Sequence, residues 1–188
     1  FDTSPILRGA WISKNIVGTP LSPPPESVPA LEPEHGEAKT LKEQIDQHKS
    51  NKTCYACHKS IDPYGFALES FDASGEWRER YKIKQAHRST FQYSPKGYFK
   101  IGAPVDASGE MGADKFENIF GLKRVLVSNE WKIAYNFAKK FFEYARGEKP
   151  NLEQRLYLWD FLGKAEENVR LKNIVTEVLI KTLNESKE

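Results

Sequence analysis

The sequence predicts a mainly α protein with a small antiparallel β element and a helical, bundle-like C-terminal part. From Asp114 onward, apolar residues recur at helical spacing in four segments with short connections, as in helix bundles. Alternating residues at 77–83 and 98–101 predict two exposed antiparallel strands, joined by a loop at about 84–97. With 39% hydrophobic and 29% charged residues, the 188-residue chain has the composition of one or two small globular domains.

The only two cysteines belong to a Cys-x-x-Cys-His sequence at residues 54–58. This spacing is the attachment motif of c-type haem, in which both thiols add to porphyrin vinyl groups and the histidine binds iron. The alternatives are a thioredoxin-like dithiol, which needs a βαβ context that the pattern lacks, and half of a zinc site, which needs a second close ligand pair. We therefore expect one covalent haem c, attached through Cys54 and Cys57, with His58 as the proximal iron ligand.

The residues that follow the motif are expected to support His58. A metal-bound histidine usually donates its second ring N–H to an acceptor, and residues 61–63, read as a turn, offer nearby backbone carbonyls for this role. Tyr64 and Phe66 lie in a short apolar segment after the turn. These two aromatic side chains either cover the porphyrin edge or pack in the core.

The sixth iron ligand has two candidates in the sequence. His48 lies on the inward face of a helix that the capping box Thr40–Glu43 opens and that runs to about Ser50. Met111 is the only methionine, and its glycine-flanked position is compatible with the downstream methionine loop of small cytochromes c. Because the family resemblance described below includes His48, we place His48 first and Met111 second, and an open sixth position remains the third possibility.

Proline and aspartate patterns organise the remaining N-terminal part. Ser4 and Pro5 predict the start of a helix over about 5–17, and six prolines between Pro20 and Pro33 predict an extended strap at 19–37. A surface strap is a better interpretation than a ligand for a proline-recognition module. Two Asp-x-Ser-Gly sequences, at 72–75 and 106–109, predict Asx turns rather than calcium loops, because the ligand density of a calcium loop is missing.

The C-terminal helices complete the predicted domain organisation. We expect a haem-binding module at 1–112, including the strap, and a helical module at 113–188 packed on it. Helices are expected at about 116–126, 131–146, 152–164 and 168–184. The predicted inward residues of the last three are Trp131, Tyr135, Ala138 and Phe142; Leu156, Trp159 and Leu162; and Leu171, Ile174, Val175, Val178, Leu179 and Leu183.

Charge and hydropathy limit the classes of partner and the cellular locations that the sequence allows. The net charge of +2 is spread among interspersed acidic and basic residues, so no nucleic-acid footprint is visible, and no run is long enough to span a membrane. The chain opens on Phe1-Asp2-Thr3-Ser4 without signal-peptide features. Because covalent haem attachment takes place outside the bacterial cytoplasm, we expect a periplasmic or otherwise exported chain that is a mature product or a fragment.

Several motifs together resemble one family. They are Ser4–Ile12, Gly18–Pro25, Ala30–Glu32, Gln47–Asn51, Cys54–His58, Ile61–Pro63, Gly65–Glu69 and Phe71–Asp72. In this order they resemble the C-terminal modules of large planctomycete-type cytochrome c domain proteins, most strongly over about 4–80. Residues 105–109, 136–138 and 144–147 are similar to the adjoining helical module, and the resemblance weakens after Gly147. It implies an exported, haem-bearing portion of a multi-module protein.

Two classes of function follow from the haem interpretation. The first is electron transfer to a redox partner protein or a larger subunit, with burial and axial ligands setting the potential. The second is haem-based catalysis or small-ligand binding, peroxidase-like, at an open sixth position. Peroxidase chemistry needs a distal histidine and an arginine, and His87–Arg88 is the only neighbouring pair of the right types. Because that pair lies in a polar loop, we favour electron transfer, and enzymatic activity stays undecided.

Overall fold

The computed structural model describes residues 3–23, 40–48, 52–84, 99–164 and 170–185. Most of the predicted strap, the predicted loop at 84–97 and the His87–Arg88 pair lie outside these residues. The described part is mainly helical, as predicted, and contains two small antiparallel sheets where the sequence predicted one. Its helices are α1 Pro5–Ile12, α2 Leu41–His48, α3 Lys52–His58, α4 Asp62–Ala67, α5 Ile119–Val127, α6 Glu130–Arg146, α7 Leu152–Lys164 and α8 Leu171–Glu185. Its strands are β1 Arg80–Lys84, β2 Phe99–Pro104, β3 Gly109–Met111 and β4 Asp114–Phe116.

The chain forms two compact units, residues 1–12 with 21–123 and residues 13–20 with 124–188. In the first unit, α1 packs against α4, and every residue of α4 is buried. This helix replaces the turn and apolar segment that the sequence predicts after the Cys-x-x-Cys-His motif. The proline at the second position of α4 is compatible with its first turn, where backbone N–H groups need no helical acceptor.

Two separate hairpins form the β structure of the first unit. Strands β1 and β2 pair antiparallel, with Lys82 opposite Ile101 and an irregularity between Arg80 and Lys82. Strands β3 and β4 form a second hairpin, which the sequence did not predict because its pattern indicated helix from Asp114 onward. Gly112 adopts a left-handed φ of 64° and turns the chain back, so residues 114–116 pair with β3 and the helix begins only at Ile119.

Local capping and turn predictions are confirmed in this unit. The N–H of Leu7 donates to Ser4 Oγ at 3.3 Å at the start of α1. Thr40 and Glu43 form the reciprocal capping box of α2, with N–H to side-chain distances of 2.7 and 3.2 Å. Both Asp-x-Ser-Gly sequences form Asx turns, in which the serine N–H donates to Oδ1 of Asp72 or Asp106.

The second unit is built on α6, α7 and α8, which share one buried apolar cluster. A π-helical segment, Ser13–Val17, packs against α6, where Asn136 Nδ2 donates to the carbonyls of Asn15 and Ile16 at 2.8 and 3.1 Å. As predicted, α6 ends at Gly147, which adopts a left-handed φ of 74°. The fully buried cluster consists of Ala138, Phe142, Leu158, Leu162, Ile174 and Val178.

The predicted inward faces of α7 and α8 are partly wrong. Leu156 and Trp159 are 60% and 52% exposed, whereas Leu158 is buried beside Leu162. On α8, Ile174 and Val178 are buried as predicted, but the predicted inward residues also include three exposed leucines. These helices carry apolar residues on more than one face, so periodicity alone does not decide which face is buried. The exposed α8 residues are Leu171, Leu179 and Leu183.

None of the helices in the described ranges combines the length and the apolar character needed to cross a membrane.

Candidate functional site

The Cys-x-x-Cys-His sequence forms the last five of the seven residues of α3. Cys54 and Cys57 are half-buried and lie one helical turn apart, so their thiols project from neighbouring positions on one side of the helix. His58 is the last residue of α3. The N–H of Ile61 donates to its carbonyl at 3.0 Å, and the chain turns directly into α4. The structure therefore brings the three predicted attachment residues together on one short helix.

The imidazole of His58 is held by a carboxylate. Its Nδ1 lies 2.8 Å from Oδ1 of Asp62, one turn further along the chain, and the Asp62 side chain is 2% exposed. An ionised Asp62 accepts a hydrogen bond from Nδ1–H of His58. The lone pair of the ring is then on Nε2, the nitrogen that a proximal ligand presents to iron. The predicted backbone acceptor is therefore replaced by a side chain. Because 62–67 is helical, the Ile61 carbonyl accepts from Gly65 N–H instead.

His58 faces a cavity of about 880 Å³, within the range of roughly 300–1,000 Å³ that is usual for ligand and cofactor sites. Phe66 and Tyr64 are both buried; Phe66 also lies in the cavity wall, and burial raises the pKa of Tyr64. Cys54 and Cys57 are not among the lining residues. The lining includes Lys42, Asp46, Tyr55, His58, Lys59, Ser60, Asp62, Pro63, Phe66, Ser108, Gly109, Glu110, Gly112, Lys115, Phe116 and Glu117.

Hydrogen bonds from Lys42 link two walls of this cavity. The Nζ of Lys42, on α2, donates to Asp106 Oδ2, to the Ser108 carbonyl and to Ser108 Oγ at 2.7–2.9 Å. Partial burial acts to raise the pKa of Asp106, but hydrogen bonds from Ser108 and Lys42 outweigh it and hold the pKa below its ordinary value. The second Asx turn thus anchors α2, a role that sequence reasoning missed because 64 residues separate Lys42 from Asp106.

A buried network of ion pairs and hydrogen bonds lies at the C-terminal end of α4, opposite the end that carries Asp62. Oε2 of Glu69 accepts from Arg78 Nη2 at 2.9 Å and from Thr3 Oγ1 at 2.8 Å, while Oε1 lies 3.6 Å from Arg8 Nη1. Arg8 also donates to the carbonyls of Leu68, Phe71 and Asp72. Glu69 and Arg78 are both buried, and the sequence offered no periodic signal that would pair them with Arg8.

The two predicted sixth-ligand residues are placed differently. His48 ends α2, and its side chain lies outside the described part of the structure. On the same helix, Lys42 and Asp46 line the cavity. Met111 is half-buried at the end of β3, a strand that packs against α4, and its neighbours Glu110 and Gly112 line the cavity. Both elements therefore reach the cavity, and neither ligand assignment is decided.

A zinc or other multidentate metal site has no assembled donor set in the described residues. No group of three or more histidine, cysteine, aspartate or glutamate side chains is placed there to hold a metal ion. Haem attachment does not need such convergence, because the two thiols bond porphyrin carbons and only the imidazole binds iron. The donor set of α3, with Asp62 behind His58, fits haem c.

Comparison with known proteins finds a similarity over the N-terminal part of the chain. Residues 1–81 match the PSCyt3 family model. The family's description is "Protein of unknown function (DUF1588)", and it is a planctomycete-type cytochrome-associated family. The match covers the segment in which the resemblance was strongest and includes α1, α3, α4 and most of the Glu69 network. No curated protein and no solved structure shows significant similarity to the chain.

Proposed function

We propose that the chain is an exported c-type cytochrome that holds one covalent haem and transfers electrons. The observation that supports this best is the position of His58. It ends the Cys-x-x-Cys-His helix, its Nδ1 is held by buried Asp62, and its side chain borders a cavity of about 880 Å³. When bound there, haem supplies a one-electron iron couple.

Two residues of α3 would hold the porphyrin. Cys54 and Cys57 would each form one thioether with it, by addition of the thiol S–H across a vinyl group. This addition consumes no oxidant or reductant, but both cysteines must be in the thiol form. Asp62 keeps the ring of His58 in the orientation and tautomer that a proximal ligand requires.

The cavity wall supplies the remaining contacts. Pro63, Phe66 and Phe116 offer apolar surface that excludes water from the bound group. Lys59 and Lys115 are cations on the same wall and suit the two propionate groups of a porphyrin. The polar part of the wall, which includes Ser60 and Ser108, favours a second candidate function, small-ligand binding or catalysis at an open sixth position.

The attachment is tested by producing the chain in a bacterial periplasm with c-type haem maturation and staining a denaturing gel for haem. We expect haem to stay with the wild-type chain, and Cys54→Ala or Cys57→Ala to keep a single thioether with a shifted pyridine haemochrome band. Haem that leaves the denatured wild-type chain in acidic organic solvent would contradict the attachment.

Carbon monoxide separates the two functions. A six-coordinate electron-transfer haem should show little change in the ferrous spectrum when carbon monoxide is added, whereas an open site should bind it at once. We also propose that the chain works with a redox partner protein or within a larger subunit. A solution mass of 21.5 kDa for material from the native source would count against the larger subunit.

A further inference from the structure

We infer that Asp62 is a positioning residue that increases the donor strength of His58 and thereby lowers the reduction potential of the bound iron. This inference rests on the proposed haem attachment and adds to it a residue that sets the potential. It concerns a side chain outside the attachment motif.

The first step is the charge and burial of the acceptor. Asp62 Oδ1 lies 2.8 Å from His58 Nδ1, within the range of charge-assisted hydrogen bonds, and the two side chains are 2% and 12% exposed. Water and salt screen a buried pair much less than an exposed one. The charge of an ionised Asp62 is therefore screened little by solvent where it acts on the imidazole.

The second step is the rigidity of the acceptor. Asp62 is the first residue of α4, whose six residues are all buried, and Gly65 on the same helix lies against the backbone of Pro5. Repacking of the surroundings is therefore costly, so Asp62 keeps its orientation toward α3. Such support is what a ligand-orienting residue needs in order to keep one geometry in both oxidation states.

The third step is the effect on iron. A carboxylate accepts the Nδ1 proton more strongly than a neutral carbonyl, which makes the imidazole a more basic ligand. A more basic ligand, with a fixed negative charge behind it, stabilises the ferric over the ferrous state. The potential falls as a result, because axial ligand and hydrogen bonding are the protein's main means of tuning haem. The electron donor must then be a low-potential reductant.

The test uses the haem-loaded chain and two matched variants. Asp62→Asn keeps the shape and an oxygen acceptor but removes the charge, whereas Glu110→Gln removes a carboxylate from the same cavity that is not bonded to His58. We expect the midpoint potential to rise in Asp62→Asn and to change much less in Glu110→Gln. The iron–histidine stretching frequency, measured by resonance Raman after flash photolysis of the sixth ligand, should fall only in Asp62→Asn.

An Asp62→Asn protein that carries covalent haem with unchanged potential and stretching frequency would overturn the inference and leave the proposed function intact. Equal shifts in both variants would overturn it too, since they would indicate a general charge effect. If Asp62→Asn does not fold, the test is made on the wild-type protein. Its iron–histidine stretching frequency should exceed that of a c-type cytochrome whose proximal histidine donates to a backbone carbonyl. An equal or lower frequency contradicts the inference. A wild-type chain without covalent haem overturns both proposals.

Discussion

The carbonyl oxygen of Pro5 occupies the position where a side chain on Gly65 would begin. A Cβ on Gly65 would overlap this oxygen, and a Cβ on Gly9 would overlap the carbonyl oxygen of Ile61. Helices α1 and α4 therefore meet backbone to backbone, through one glycine on each. Because α4 also carries Asp62, the N-terminal helix supports the residue that holds His58.

Replacing Gly65 with alanine should destabilise the protein. The added methyl group meets backbone atoms, which cannot rotate away, so the helices must separate at a cost of about 1–3 kcal/mol or more. Urea unfolding of the haem-loaded protein measures the loss. Gly163→Ala in α7 is the control: a Cβ there meets nothing within 4 Å, and alanine should stabilise this helix by about 0.5–1 kcal/mol. Equal effects at the two positions would contradict the close approach of α1 and α4.

Neutralising Glu69 should weaken the first unit strongly. In Glu69→Gln, the buried guanidinium of Arg78 loses its counter-charge, which costs about 3–5 kcal/mol when one partner of a buried pair is removed. The control is Glu148→Gln, because the Glu148 side chain is 65% exposed and its pair with Arg146 should contribute about 1 kcal/mol or less. Denaturant unfolding curves of both variants test the difference. A loss from Glu69→Gln no larger than that of the control would show that the network adds little stability.

The link between α2 and the second Asx turn should depend on pH. The pKa of Asp106 is lowered in the folded protein, so its contribution to stability is present above the unfolded value of 3.8 and disappears as the pH falls through the folded value. The Asp106 side chain is half exposed, so solvent screening keeps the effect under about 1 kcal/mol.

Asp106→Asn tests this pH dependence. Wild type should be more stable than the variant at pH 6, and the difference should shrink as the pH is lowered from 5 toward 3. Urea midpoints at each pH provide the measurement, with Lys42→Met as a second way to remove the ion pair. A difference that stays constant over this range would indicate that the charge of Asp106 is not involved.

The sixth ligand can be assigned by two substitutions. We expect His48→Ala to produce a high-spin haem that binds carbon monoxide and Met111→Leu to leave the spectrum unchanged. Bis-histidine ligation also predicts that the oxidised protein lacks the weak far-red absorption of a sulfur–iron bond. The opposite result for the two variants assigns Met111, and no change in either indicates an open iron.

Signals that depend on a few consecutive residues predicted the structure well. The capping box at Thr40, the Asx turns at Asp72 and Asp106 and the helix end at Gly147 all form as expected. Each of these features satisfies backbone groups within five residues of the one that causes it. Local chemistry is therefore sufficient to predict them.

Longer patterns were less informative. Leu156 and Trp159 are exposed although they follow helical spacing, because α7 carries apolar residues around most of its circumference. The role of Asp62 could in principle have been predicted from the sequence, since a helix over 62–67 places Asp62 one turn after His58. The short apolar segment after the motif did not predict that helix, so the acceptor was expected to be a backbone carbonyl.

The sequence by itself determined the Cys-x-x-Cys-His motif of Cys54, Cys57 and His58, because three residues in fixed order define it, and it determined the mainly helical class through periodicity. The tertiary structure decided which groups surround that motif. The hydrogen bond between the Asp62 carboxylate and His58 depends on where α4 begins, and α4 packs against α1. The bonds from Lys42 to Asp106 and from Arg8 to the end of α4 join residues about 60 positions apart. Such pairs form only after the chain has packed, since no local pattern in a single sequence indicates which distant partners will meet.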